Sequence, residues 1–173
     1  MSALVRNLLT ALLALWRYGR TAPLATVVCR FWVTPWDVGL SKLKSDRVLQ
    51  MAEAAQLDYM VQTGLLGTAL KRGYAFVNAA QMLRFMQPVG LFSRVTVHTR
   101  VMFADAKWVY FEHTLHAHGT ACAQVWVKMK FKHGRITVQP NTLLGEYTGA
   151  QPVELAAWDL ALAHAILQPT LPR

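Results

Sequence analysis

Only one stretch in the middle of this chain has helical spacing, and runs of period two stand on both sides of it. From Arg47 to Thr63 the text reads RVLQMAEAAQLDYMVQT, with Val48, Ala52, Ala55 and Tyr59 on one stripe and Leu49, Met60 and Thr63 widening it. Ser45 or Asp46 can cap the start, an acid in the first turn suits the helix dipole, and Gly64 and Gly67 close the element. Before it, Ala25–Val33 (ATVVCRFWV) predicts a first strand, broken at Pro35 and Gly39. After it come Tyr74–Phe85, Ser93–Phe103, Trp108–His118 and Ala121–Lys132, with Ile136–Val138 extending the sheet. In Ser93–Phe103 the residues Val95, Val97, Thr99, Val101 and Phe103 face one way, and Arg94, Thr96, His98, Arg100 and Met102 the other. Four consecutive antiparallel strands expose one apolar face, and the helix at 46–63 is the element long enough to cover it. The expectation is an α+β domain in which a curved antiparallel sheet of five to six strands wraps one central helix.

Composition narrows the partners. The 173 residues suffice for one buried core, and a 16% charged fraction is low for a soluble domain, so surface is expected to be buried in an oligomer or against a membrane. The net charge of +9 admits nucleic acid, an anionic membrane or a phosphorylated small molecule. The basic residues are spread along the chain rather than gathered in a block, which argues against nucleic acid. Cys29 and Cys122 sit in apolar strand-like runs with no zinc spacing, so free buried thiols, a reducing cytoplasmic setting and no metal are expected. The apolar run Ala3–Trp16 is too short to span a bilayer and lacks a cleavage site after it. It reads either as a helix packed on the body or on a sister subunit, or as a peripheral membrane contact through residues 3–18 with Trp16, Arg17, Tyr18 and Arg20 at headgroup level. The chain divides into an N-terminal helix (1–24), the sheet-and-helix domain (25–140) and a C-terminal extension (141–173) with a helix at Ala156–Leu167.

The order of elements, with Val48-Leu49, Glu53, Ala55, Gln56 and Tyr59 in the helix and Phe85-Met86-Gln87-Pro88-Val89-Gly90-Leu91-Phe92 before the alternating strand, resembles the hotdog-fold acyl-CoA thioesterases of the hydroxybenzoyl-CoA thioesterase-like branch. The similarity covers about residues 25–138. It is close to proteins like thioesterase superfamily member six, a membrane-associated branch with an apolar N-terminal segment. The resemblance implies hydrolysis of an acyl-CoA or acyl-carrier-protein thioester, a homodimer or homotetramer, and no cofactor. One departure stands out: Lys42 and Lys44 occupy the places where the family carries His and Asn before the helix, and Asp37 is offset by one from the expected acidic position.

Thioester hydrolysis needs a carboxylate to activate water or attack, and donors for the developing oxyanion. Asp37 is the first candidate carboxylate, its alternative being a turn or cap residue after Pro35; Glu53 is the second, its alternative being structural. Asp58 reads as a solvated helix residue. The backbone from Ser41 to Asp46 can supply oxyanion donors. Gly39, Ser41, Lys42, Lys44 and Ser45 are candidate substrate-binding residues, with Lys42 and Lys44 either on CoA phosphates or solvent-facing. Tyr59 and Asn78 line an acyl pocket in this reading, although Tyr59 at this spacing also fits plain core. His113 reads as a satisfied core histidine, while His116 and His118 fall on the opposite, exposed face with Glu112. A second reading keeps the fold without the chemistry: a non-catalytic acyl- or lipid-binding protein associated with a membrane.

Overall fold

The structure is a computed structural model that describes residues 9, 10 and 12–167. Strand β1 (Val27–Trp32) leads through a 3-10 turn at Pro35–Asp37 to helix α1 (Ser45–Gln62), which a short helix α2 (Leu65–Lys71) follows. Then come β2 (Ala75–Phe85), β3 (Arg94–Ala104), β4 (Val109–Ala117), β5 (Thr120–His133), β6 (Ile136–Val138), α3 (Asn141–Leu144) and α4 (Val153–Leu167). Gly64, at φ 73° in the left-handed region, ends α1 as expected. Gly67 does not: it lies inside α2, where a Cβ would collide with the side chain of Tyr18. Its missing side chain serves the close approach of the N-terminal segment rather than a helix stop.

The sheet order is β1-β3-β4-β5-β2, antiparallel throughout, with β6 added to β5. The expected four-strand meander therefore holds only for β3-β4-β5, and β2 pairs with β5 instead of β3. The connection explains the correction. Met86 and Gln87 both donate to the Cys122 carbonyl, holding the end of β2 on β5, and the chain then crosses to β1, where Phe92 donates to Val33 and Val33 to Ser93. Eight residues separate β2 from β3 (86–93), so no tight hairpin forces those two strands together.

The sheet curls around α1, whose Met51, Ala54, Ala55, Tyr59 and Met60 are fully buried against inward residues such as Val97, Phe111, Val125 and Phe131. Tyr59 meets Phe111 edge-on at 5.3 Å between ring centroids. Large side chains such as Met51 and Met60 each contribute about 1.5–3 kcal/mol of burial, so wrapping fixes α1 far more firmly than its sequence propensity does. This is the hotdog arrangement that the resemblance implied. On the far side of the sheet α4 packs over β4 and β5: Trp158 contacts Tyr110 and Trp126, and Asp159 accepts from the Tyr110 hydroxyl (2.5 Å) and Lys128 (2.7 Å).

The N-terminal helix expected over 3–16 is seen at residues 9, 10 and 12–15; residues 1–8 and 11 lie outside the described residues. Its burial runs against the usual pattern. Thr10 and Ala14 face the body, while Leu9, Leu12, Leu13, Leu15 and Trp16 are exposed. Arg17 then approaches the Asp58 carboxylate at 3.9 Å, Thr21 donates to the Gln62 carbonyl, and the Tyr59 hydroxyl donates to the Pro23 carbonyl. No helix among the described residues is long and apolar enough to cross a membrane.

Candidate active site

The segment before α1 is a small folded loop. Val38 bridges Leu43, Lys42 bridges Gly90, Leu43 donates to the Val89 carbonyl (2.8 Å), and Lys44 donates to the Asp37 carbonyl (3.0 Å). These bonds use up the Leu43 and Lys44 amides. Helix α1 then begins with Lys44 as its N-cap residue, and no side chain caps it. The first-turn N–H groups at Ser45 and Asp46 have no intrahelical acceptor by geometry, and they carry the positive end of an 18-residue helix dipole. Within the donor set expected over 41–46 the Leu43 and Lys44 amides are therefore taken, and those of Ser45 and Asp46 stand at the helix end.

Beside that helix end lies a cleft of about 340 Å3. Its walls are Leu43 from the loop before α1, Val48 from the first turn of α1, Phe85 from the end of β2, Met86 and Pro88 from the connection after it, and Cys122 from β5. They are mostly apolar, and Lys42 is the charged side chain at the rim. A site of this size and polarity suits an acyl chain or ring whose reactive carbonyl stops at the helix terminus. Cys122 is wall material: its thiol donates to the Leu115 carbonyl (3.2 Å), and burial raises its pKa, so thiolate chemistry is disfavoured.

The carboxylates are placed differently. Asp37 is fully buried, and its Oδ2 accepts from the Thr34 amide (3.0 Å) and the Thr34 hydroxyl (2.7 Å), closing its own 3-10 turn. That is the turn-and-cap role, and Asp37 is not among the residues lining the cleft. Its backbone carbonyl nevertheless holds Lys44, so the residue is fixed to the amino end of α1. Glu53 is exposed, eight residues or about 12 Å along the helix from Ser45. Asp58 corrects the sequence reading, because it is 1% exposed rather than solvated. Burial raises its pKa, while the Gln62 amide (2.8 Å) and Arg17 pull the other way. Cys29 lines the same pocket beneath the N-terminal segment, and burial, reinforced by Asp58, pushes its thiol up to about 12.

The remaining candidates also separate. Lys42 reaches the cleft, whereas Gly39, Ser41, Lys44 and Ser45 are exposed on the loop and helix start outside its walls. Tyr59 is core, pinned by Phe111 and Pro23. Asn78 does not line the cleft; it exchanges amide hydrogen bonds with Gln56 at 3.2 and 3.3 Å and ties β2 to α1. His113 is buried as expected but is not fully satisfied: Nδ1 pairs with the Thr99 hydroxyl at 2.9 Å, and Nε2 has no partner among the described residues. Burial pushes its pKa down to about 3. Glu112 and His116 are less open than their strand face suggested. Glu112 is 7% exposed and binds Arg100, Gln124 and Trp126, and His116 is half-buried against His98. The loop residues Met86 and Pro88 were read only as a family segment; their place in the wall follows from β2 pairing with β5, which local sequence spacing does not encode. Among the described residues no group of three His, Cys, Asp or Glu side chains is placed to hold a metal ion.

Comparison with known proteins agrees with this fold. The structure is similar to that of a probable thioesterase from Bartonella henselae, at 16% identity over 66% of this chain and 98% of that one, with a TM-score of 0.61. It is similar to YbaW, a probable thioesterase from Escherichia coli, at 13% identity over 68% and 92% of the two chains, with a TM-score of 0.63. A Staphylococcus aureus protein solved in complex with CoA matches at 15% identity over 87% and 90%, with a TM-score of 0.56. At these identities the likeness establishes the hotdog fold. No curated protein sequence matches the chain. The sequence profile of the thioesterase-like superfamily matches residues 33–140, more than half of the chain, and the chain belongs to that superfamily.

Proposed function

We propose that this protein hydrolyses an acyl thioester, with acyl-CoA or an acyl-carrier protein as the substrate class. The observation that carries the reading is the uncapped amino end of α1 beside an apolar cleft of about 340 Å3. The acyl group lies along Leu43, Val48, Phe85 and Met86, and the carbonyl oxygen points at the Ser45 and Asp46 amides. A carboxylate takes a proton from water as the water oxygen attacks the carbonyl carbon. The resulting oxyanion is stabilised by the helix amides, each such donor being worth about 3 kcal/mol. Collapse breaks the C–S bond, and the thiolate leaves and is protonated. Asp37 is the carboxylate we assign: its backbone carbonyl holds the amide of Lys44, the N-cap residue of α1, and it acts on water once its bonds to Thr34 open, since in the closed turn it is buried outside the cleft; Glu53 is the alternative. Lys42 is positioned for a phosphate of the carrier. The CoA bound to the Staphylococcus aureus relative supports CoA as that carrier.

A second copy is part of this reading. Strand β2 is an edge of eleven residues with Phe76, Val77, Met82 and Phe85 exposed, and an open apolar edge of that length calls for a partner. Pairing there, as a homodimer or a dimer of dimers, would deepen the cleft, since Phe85 is shared by edge and wall. The test is a panel of short, long and aromatic acyl-CoAs on the full chain, with its mass in solution read by light scattering. Turnover is expected, with a loss of 100-fold or more (about 2.7 kcal/mol) in Asp37→Asn. Folded protein with no turnover on any substrate rejects the hydrolase. Turnover unchanged in Asp37→Asn keeps the hydrolase, confines Asp37 to its turn and moves the assignment to Glu53.

The outward leucines favour the membrane-associated reading, with or without catalysis. A helix that buries Thr10 and Ala14 and exposes Leu9, Leu13 and Trp16 beside Arg17 and Arg20 has the chemistry of a peripheral contact with an anionic bilayer. The full chain should float with vesicles of anionic phospholipid, and Leu13→Glu with Trp16→Glu should release it. Equal flotation of the double variant leaves those residues as packing surface only.

A further inference from the structure

On the face of the sheet turned away from α1, the strand register gathers cations. Trp32 pairs with Arg94, Arg30 with Thr96, Val28 with His98, and Thr96 in turn with His116. An open concavity of about 710 Å3 is walled by Trp32, Phe92, Arg94, His98, His116 and His118. No carboxylate lines it. Arg30 on β1 and Arg94, His98 and Arg100 on β3 are the charged or titratable groups of those strands on this face, with Glu112, His116 and His118 on or just beyond β4. Arg17 and Arg30 line the neighbouring pocket that shares Trp32. Two acids stand around it: Asp58 lines that neighbouring pocket and faces Arg17 at 3.9 Å, and Glu112 is occupied by Arg100 (2.6 Å), Gln124 (2.7 Å) and the Trp126 indole.

The histidines are not arranged to satisfy one another. His98 and His116 meet edge-on at 4.9 Å, and the buried Nδ1 of His116 has no partner among the described residues. Burial, then His116, then Arg30 lower the pKa of His98, so cationic neighbours already oppose its charging. His118 Nε2 lies 3.2 Å from the Ser93 hydroxyl, which fixes one ring at the rim. Two aromatic rings stand open at the same rim: Trp32 is 64% exposed and Phe92 66%, the latter held at φ 58° by its amide bond to Val33. Guanidinium and imidazole donors without a competing acid, next to flat apolar surfaces, are complementary to a phosphate on an aromatic or apolar carrier.

We propose that this concavity binds a phosphate group whose carrier packs on Trp32 and Phe92, with Arg94, His98 and His116 meeting the phosphate oxygens. A dianion there reverses the repulsion among the rings, so binding takes up protons and tightens as pH falls. Two carriers share this chemistry: a soluble nucleotide, and a phospholipid headgroup reached alongside the outward leucines. The site does not depend on thioester hydrolysis.

The test uses the full chain and no thioester, so its failure and that of the hydrolase are separate results. Inorganic sulfate, whose charge is constant over this range, is titrated calorimetrically at about pH 6 and about pH 8, and ADP is titrated at about pH 8, where its terminal phosphate is the dianion, with sulfate as competitor. Sulfate binding is expected to be roughly tenfold tighter at the lower pH, with proton uptake, and sulfate should displace ADP. Arg94→Gln and His116→Gln should each weaken it tenfold or more, with circular dichroism unchanged. His98→Gln should flatten the pH dependence. Vesicles containing phosphatidic acid form the second arm: binding displaced by ADP assigns the headgroup as carrier, and ADP binding without vesicle binding assigns the nucleotide. The proposal falls if neither ADP nor phosphatidic acid vesicles bind. It also falls if sulfate binding is equal at both pH values, or if Arg94→Gln binds as the parent does.

Discussion

The two faces of β4 carry the same residue type to opposite ends. His113 points inward, is fully buried and is held near pKa 3, while His116, three residues on, turns to the outer face across a register shift at Leu115/His116 and leaves a buried nitrogen unpartnered beside a concavity. The inner face is apolar, closed and built on α1. The outer face is partly covered by α4, where Lys128 pairs with Asp159, and partly open, where Arg94 and three histidines line a concavity without a carboxylate. One strand thus supplies both a core that must stay dry and a surface that can exchange protons, and the alternation of the pleat alone separates them.

The largest effect expected from breaking this contrast is Phe111→Ala on the inner face. Phe111 is fully buried against Tyr59, so the substitution should cost about 3–5 kcal/mol in urea unfolding. A loss below about 1 kcal/mol would mean that the wrapped core is looser than described. Next comes the pH dependence of stability. The folded pKa of His113 lies near 3 against an ordinary value of 6.5, so its contribution is intact above about pH 6.5 and is lost as pH falls towards 3. The slope is about 1.4 kcal/mol per pH unit, because the unfolded chain binds the proton first. His113→Gln should flatten the stability curve across that window. Identical slopes in both proteins would show that the inner histidine is not kept neutral. The titration of the outer face with sulfate sharpens the same contrast from the other side, where protons should enter with the ligand instead of with unfolding. The Asp37→Asn assay and the vesicle experiment probe the remaining surfaces, the amino end of α1 and the outward leucines.

Much of this was legible in the sequence. The stripe Val48, Ala52, Ala55, Tyr59 identified α1, and the alternation through Val95–Phe103 identified β3 and its inner face, because period and burial are local consequences of helix and pleat geometry. The candidate site was legible only in outline. Asp37 was singled out with its cap role open, but the hydrogen bonds to Thr34 that enact the cap depend on the exact turn after β1. Asp58 looked solvated because its helical position is polar; a segment forty residues upstream, carrying Arg17, covers it.

By itself, then, the chain's sequence determined the elements, the inner faces of β3 to β5 and the central place of α1, since each follows from the spacing of apolar side chains over a few residues. Tertiary structure decided the rest: that β2 crosses to β5 and leaves an open edge, that Phe85, Pro88 and Cys122 meet to wall a cleft at the start of α1, and that three histidines and two arginines converge on the outer face. The physical reason is common to all three. Strand pairing joins residues far apart in the chain, and the free energy that selects one pairing comes from burying the whole sheet against α1, which no short window of sequence contains.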